Sequence, residues 1–361
     1  MKAFVTGAGG FVGSALVVEL LARGHHVRAL THSTENGRYL SARGAQVVRG
    51  DVTDVTSMRR AMQGCDVVFH VAGYVEIGQH ESETIERVNV GGTRKVLRLA
   101  VELGIPRIVF TSTTEVFGDT EGILVDETIY REQPSLTEHA RTKWLAHYQV
   151  AVPFIERGAP VIIVMPGAIY GPGGHGIVTD LMRAFQRGYP VVAGADTVLT
   201  FAHVQDIAQG HILAAQKGRI GETYVLSGPA VSLGEMLDFW SQLTGKRAPS
   251  IRLPAAAVRA LLPLFVLWGR YTGLRSIFSR EGAAIAGATL TARSDKARRE
   301  LGWKTRPLQG GMLETLAWVA ADDAARIDPI REREKRLGLA ILAAAVLLAL
   351  GWLWSRLTRR Q

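Results

Sequence analysis

Glycines at positions 7, 10 and 13 of the run Thr6-Gly7-Ala8-Gly9-Gly10-Phe11-Val12-Gly13 have a spacing that can do chemistry. They lie between a short β-rich stretch and an amphipathic one. Such glycines let the backbone turn sharply, approach a pyrophosphate with no Cβ in the way, and pack the next helix closely. The N-terminus of that helix then offers free N–H groups to the anion. Asp51 closes the third strand pattern in Gly50-Asp51-Val52-Thr53-Asp54, which strengthens the reading as a dinucleotide site over that of an ordinary tight turn. At the end of the second strand pattern, Leu30-Thr31-His32-Ser33 holds no carboxylate for a ribose 2′-OH and offers small or weakly basic donors. This modestly favours NADP over NAD, with His32 facing the ribose.

The elements that must position these groups alternate. KAFVTG, HVRAL, AQVVRG, DVVFHVAG and RIVFTST read as five strands separated by helical segments, followed by a long helix from near Ser135 and a strand at PVIIVMPG. Alternation of this kind makes an α/β fold, a doubly wound parallel sheet with helices on both faces. Residues 1–172 form this nucleotide-binding part, with returning segments from the second half. The Gly- and Pro-punctuated residues 173–330 form a smaller substrate lobe, and 331–361 a basic-flanked C-terminal segment.

That segment bears on where the protein works. Residues 337–355 carry no charge, and a helix of that length matches a hydrocarbon layer of about 30 Å. Trp352 and Trp354 stand at its end and Arg and Lys on both flanks, so a single transmembrane span is expected. The chain's surplus of +9 concentrates here and in one other place: residues 331–361 sum to +5, residues 246–280 to +7, and everything else to −3. The second basic stretch is also apolar, so 254–280 reads as a membrane-surface element or, alternatively, a buried lid with a basic rim. A nucleic-acid partner is not expected, because no recognition motif accompanies the charge. A single cysteine, Cys65, excludes internal disulfides and Cys-based metal sites, and no metal ligand set is expected. With no cleaved leader visible, the catalytic body is expected on the cytoplasmic side of a membrane.

The G-x-x-G-x-x-G spacing resembles that of the extended short-chain dehydrogenase/reductase family, within the NAD-dependent epimerase/dehydratase superfamily, and the resemblance covers roughly residues 1–325. Further motifs follow in chain order. They are Asp51-Val52, His70-Val71-Ala72-Gly73, Asn89-Val90-Gly91-Gly92-Thr93, Thr111-Ser112-Thr113-Thr114-Glu115-Val116-Phe117-Gly118, Pro166-Gly167-Ala168-Ile169-Tyr170-Gly171-Pro172-Gly173, His203-Val204-Gln205-Asp206, and Asp295 to Trp303. The resemblance implies a Rossmann-type fold holding NAD or NADP at Gly7, Gly10, Phe11, Val12, Gly13, His32, Asp51, Val52, Ala72, Gly73, Lys143 and Pro166. It also implies that Thr113 hydrogen-bonds the substrate oxygen. Family members often pair through the helices that here contain Asn89 and Lys143, so a homodimer is compatible.

The family's Tyr-x-x-x-Lys motif is altered in this chain. Lys143 is present, and in the family it holds the nicotinamide ribose and favours tyrosinate, but the Tyr position is His139. Thr113, His139 and Lys143 therefore occupy the catalytic positions. His139 substitutes as acid/base, another phenol such as Tyr74, Tyr130 or Tyr148 serves, or the protein is a catalytically impaired NAD(P)-binding membrane scaffold. Glu115 reads as an ordinary loop carboxylate, although acidic residues near this loop act in elimination in sugar-nucleotide dehydratases. The usual nucleotide-sugar Arg and Asn are replaced by Met165 and Ala168, which disfavours the alternative of a nucleotide-sugar epimerase or dehydratase. The chain looks more like the 3β-hydroxysteroid dehydrogenase and dihydroflavonol reductase branch, which implies hydride transfer on a lipophilic alcohol or ketone (sterol-, isoprenoid- or flavonol-like).

Overall fold

The computed structural model describes residues 1–75, 82–132, 135–264, 266–267, 277 and 279–326. Its strands are β1 (Lys2–Thr6), β2 (His26–Thr31), β3 (Gln46–Arg49), β4 (Val67–His70), β5 (Ile108–Thr111), β6 (Val161–Pro166), β7 (Ala168–Tyr170), β8 (Val191–Ala193), β9 (Val198–His203), β10 (Thr223–Leu226), β11 (Ala230–Ser232), β12 (Ile251–Leu253) and β13 (Thr289–Leu290). Seven of them form one sheet in the order β10-β6-β5-β4-β1-β2-β3, with every neighbouring pair parallel.

The central strands carry runs such as Val67–His70 and Val161–Pro166, buried along their whole length, as both faces of a parallel sheet require. Side chains alternate between two cores. Phe4, Val68, Phe110 and Ile163 fill one face, and Val5, Phe69, Val109 and Val164 the other. The strand order reverses between β1 and β4, and the crevice outside their carboxyl ends is where such sheets bind ligands.

The second half of the chain returns to complete this sheet. Strand β10 pairs beside β6, and the helix Val204–Lys217 packs against the helix Phe11–Ala22. Trp303 locks the return: it is fully buried, and its indole N–H donates to the Asp206 carbonyl at 2.7 Å. The Asp206 carboxylate in turn accepts the Arg306 N–H at 2.8 Å and its Nε at 3.0 Å. Replacing Trp303 by Ala removes this filling and leaves that carbonyl without its indole partner. The expected loss is about 3–5 kcal/mol, read as a lowered urea midpoint; an unchanged midpoint would count against this role.

The smaller lobe is built on β9, which pairs antiparallel with β11 and parallel with β7 and β13, and on the separate β8–β12 pair. Its core packs Met182, Phe185, Phe201, Trp240 and Met312.

Two local expectations shift. The helix expected near Ser135 begins at Glu138, because the Thr137 hydroxyl, not Ser135, caps it by accepting the Ala140 N–H at 3.0 Å. Asp51 lies just past β3, in the turn before the helix Val55–Met62. The expected span 337–355 lies outside the described residues. Among the described residues no helix is long and apolar enough to cross a membrane. Within the basic stretch 254–280, the helix Ala255–Ala260 sets Ala255 and Val258 against Ala283 and Ala286. Leu264 and Leu267 beyond it are exposed.

Candidate active site

The turn after β1 is shaped for an anion. Gly7 has φ +66°, and a Cβ there would stand 2.6 Å from the Ala72 Cα, where the exit of β4 crosses the turn. A Cβ at Gly13 would lie 2.0 Å from the Gly7 carbonyl oxygen. The helix Phe11–Ala22 starts behind Gly10 without a side-chain cap and without an acid in its first turn, so its N–H groups remain for a ligand. Asn36 fixes the loop from outside, donating from Nδ2 to the Gly9 carbonyl at 2.8 Å, and Ser33 caps the helix that carries Asn36. His32, exposed just past β2, stands beside this clamp.

Asp51 closes the adenosine end. Burial alone would raise its carboxyl, but hydrogen bonds from the Thr53 hydroxyl and N–H, each 2.7 Å, together with His32 and Arg87 nearby, hold it below the usual carboxylate range. These residues fit a dinucleotide: a cradle with no room for side chains, a free helix N-terminus, and an ionised acid for the base or sugar.

The other end gathers the chemistry. Two helical stretches, 82–102 and 138–156, flank it, and each contains a π-helical turn, Arg87–Gly92 and Leu145–Ala151. Asn89, in the first turn, ties three parts together. It accepts the Tyr74 N–H at 2.7 Å, donates to the Tyr74 carbonyl at 3.1 Å, and donates to the Thr142 hydroxyl at 2.9 Å. Lys143 is buried, its Nζ donating to the Thr111 carbonyl at 2.5 Å. Burial lowers its pKa to about 8, with Glu115 pulling the other way.

Around the ammonium lies a layer of neutral histidines. His70 bridges the Thr6 and Thr93 hydroxyls at 2.9 Å each. His147 meets the Ser112 hydroxyl at 2.9 Å and His211 the Thr111 hydroxyl at 2.8 Å. Burial is the main reason all three stay uncharged, and the Lys143 charge adds to it.

His139 opens onto the cleft, and burial followed by the Lys143 charge lowers its pKa to about 4. Its Nδ1 stands 3.4 Å from the Tyr74 carbonyl. A carbonyl only accepts, so Nδ1 carries the hydrogen and Nε2 is left with a lone pair. Thr113 caps the turn Thr114–Phe117, its oxygen accepting the Glu115 N–H at 3.2 Å. Its hydroxyl proton is left for a ligand.

One continuous cleft of about 1090 Å³ is lined by every residue that the sequence assigns to cofactor binding or to the catalytic positions: Gly7, Gly10, Phe11, Val12, Gly13, His32, Asp51, Val52, Ala72, Gly73, Thr113, His139, Lys143 and Pro166. Of the alternative phenols, Tyr74 lines it. Tyr130 and Tyr148 instead pack on each other edge to face, 5.0 Å apart. Past the catalytic positions the cleft runs into the smaller lobe, where Leu181, Phe185, Val192, Leu199, Leu237 and Ile285 wall it. Sequence reasoning missed Asn36 and Thr137, which no spacing marks, and took Glu115 for a loop acid although its side of the turn faces the cleft.

Known proteins match this picture. The model of the NAD dependent epimerase/dehydratase family matches residues 3–227. The chain is 32% identical over 311 residues to a 4-hydroxy-2-methyl-3-oxo-4-farnesyl-3,4-dihydroquinoline-1-oxide ketoreductase of Stigmatella aurantiaca, covering 85% of this chain and 92% of that one. It is 29% identical over 328 residues to sterol demethylase protein B of Methylococcus capsulatus, covering 88% and 98%. The crystal structure of gox2253 superposes with a TM-score of 0.77 at 30% identity, over 89% of this chain and 98% of that one. With a glycine cradle, a buried lysine and a parallel doubly wound sheet, the chain belongs to the NAD dependent epimerase/dehydratase family, as an NAD(P)-dependent oxidoreductase of the extended short-chain dehydrogenase/reductase type.

Proposed function

We propose that this oxidoreductase interconverts a lipophilic secondary alcohol and its ketone at a membrane. The observation that carries this reading is the continuity of one cleft from the glycine cradle, past Lys143, to the apolar wall of the smaller lobe. A sugar nucleotide would need more polar partners than the His175, Asp180 and Thr197 that stand among those apolar side chains. A polycyclic or prenylated ketone needs apolar area, worth about 25 cal/mol per Å² buried. The relatives named for a farnesylated quinoline oxide and for a sterol support the same class.

The bound nicotinamide supplies or accepts hydride. Lys143 holds its ribose and keeps a positive charge under the reacting oxygen. The Thr113 hydroxyl donates to that oxygen, and His139 borders it. The end of β2, with His32 and no carboxylate, favours NADP. The uncharged run 337–355 anchors the chain, and 254–280, with Arg259 and the exposed Leu264 and Leu267, rests on the lipid surface with the catalytic body in the cytoplasm.

Removing residues 331–361 is expected to slow reduction of a bilayer-embedded sterol ketone at least about tenfold, by lost co-localisation, and to leave a detergent-dispersed short-chain ketone unaffected. Measured in liposomes with NADPH, equal rates for the two chains on both substrates would overturn the anchored reading.

A further inference from the structure

A carbonyl reduction needs a proton as well as a hydride, and the residue in the family's tyrosine position is badly placed to give one. His139 is uncharged, and its one N–H is turned to the Tyr74 carbonyl, so the nitrogen left for the cleft has a lone pair and no hydrogen. Glu115 lies in the same wall. It leaves the turn Thr114–Phe117 beside Thr113, to whose hydroxyl oxygen its N–H donates at 3.2 Å, and its side chain lines the cleft.

The groups facing Glu115 come from two elements. Thr137, at the head of the helix beginning at Glu138, accepts the Ala140 N–H with its oxygen at 3.0 Å, and its side chain lies near enough to the Glu115 carboxyl to favour the ionised form. Lys143 lies nearly two turns further along the same helix and attracts the ionised form. Glu281, on the smaller lobe's helix Arg280–Ile285, opposes ionisation; its side chain accepts the Glu138 N–H at 2.9 Å. A carboxyl between a lysine and a second carboxylate, walled off by two lobes, can hold a proton near neutrality and give it up without leaving an unpaired charge.

We propose that Glu115 is the proton carrier of this oxidoreductase, protonating the substrate oxygen during reduction and taking the hydroxyl proton back during oxidation. The inference rests on the hydride-transfer reading above. In reduction a C–H bond forms at the carbonyl carbon with hydride from the reduced nicotinamide. The carbonyl π pair takes the proton of the Glu115 O–H, leaving an alcohol, oxidised nicotinamide and a Glu115 carboxylate beside Lys143. Solvent reaching the open edge of the cleft restores the proton. Burial, reinforced by Glu281, raises the Glu115 pKa to about 7. Its acid form is therefore lost as pH rises through neutrality, so reduction falls and oxidation rises over that range.

The test uses the full chain in detergent with NADPH and a sterol 3-ketone, together with the E115Q and E115D variants. We expect E115Q to lose roughly 10²-fold or more in kcat, with unchanged NADPH affinity by fluorescence and no neutral-pH limb in its rate profile, and E115D to recover part of the rate. In the resting protein labelled at glutamate Cδ, a carboxyl resonance should titrate near neutrality and be absent from E115Q. Parental kcat in E115Q, or a Glu115 signal titrating with the exposed glutamates, overturns the proposal. NADPH binding with no ketone reduction by the parent overturns the hydride-transfer reading instead. In that case the carboxyl titration decides on Glu115 by itself, a signal near neutrality supporting its role and one in the ordinary range overturning it.

Discussion

Lys143→Met is expected to lower the rate of ketone reduction by roughly 10²–10⁴-fold while leaving a folded protein. Methionine nearly matches the lysine stem in volume, so the packing between β5 and the helix beginning at Glu138 survives. What disappears is the ammonium and its 2.5 Å bond to the Thr111 carbonyl. The charge acts on its surroundings as well as on a substrate. It helps keep His70, His139, His147 and His211 neutral and draws the Glu115 carboxyl toward ionisation. Removing it shifts both kinds of group upward: His139 titrates above its present value of about 4, and Glu115 holds its proton to higher pH. Histidine ring NMR across a pH series, run beside the rate assay, separates this electrostatic effect from misfolding. A variant with parental rate, or with unmoved histidine titrations, would exclude Lys143 from the role assigned to it.

Gly13→Ala is expected to abolish dinucleotide binding. The added methyl would sit 2.0 Å from the Gly7 carbonyl oxygen and 2.8 Å from its carbon, both backbone atoms that cannot swing aside. Either the helix Phe11–Ala22 withdraws from the turn or the turn opens. Both movements spread the N–H groups that must converge on a pyrophosphate, and the strain resembles core overpacking at about 1–3 kcal/mol. Gly310→Ala is the control, since a Cβ there meets nothing within 4 Å. NADPH fluorescence titration and thermal melting with and without cofactor should show loss of binding and of ligand-induced stabilisation in Gly13→Ala only. Parental affinity in that variant would contradict the cradle described here.

The first six strands were legible because β4, β5 and β6 are apolar, largely β-branched runs buried along their whole length, and the less buried β1, β2 and β3 keep the regular alternation with helical segments. Strand β10, Thr223–Leu226, was not, since it lies among the Gly- and Pro-punctuated residues past 172, outside the regular strand–helix alternation that marks β3, β4 and β5 at the same length. The three-residue strands of the smaller lobe were lost for the same reason. The cofactor cradle and Lys143 could be read because their function demands particular residue types at fixed spacing. Glu115 could not. A carboxylate four residues beyond a strand is ordinarily solvated, and what stands beside this one is Glu281 and its helix, contributed from much later in the chain. The helix start near Ser135 could be placed no more finely because Ser and Thr both cap helices, and only the fold shows which hydroxyl meets the Ala140 N–H.

The way β10 closes the large sheet also has a consequence for how the protein is made. When Pro166 leaves the ribosome, β6 has β5 on one side and a row of unpaired N–H and C=O groups on the other. The strand that covers that edge has not yet been translated. At roughly 5–20 residues per second the edge stays open for several seconds. Trp303, which clamps the helix Val204–Lys217 over the same sheet, arrives later still. The nucleotide-binding part therefore cannot mature as an N-terminal unit during synthesis. Its final edge, and with it the floor beneath Pro166, is finished only after the smaller lobe's residues up to Leu226 have emerged, so the two lobes are coupled in the order of folding as well as in the cleft they share.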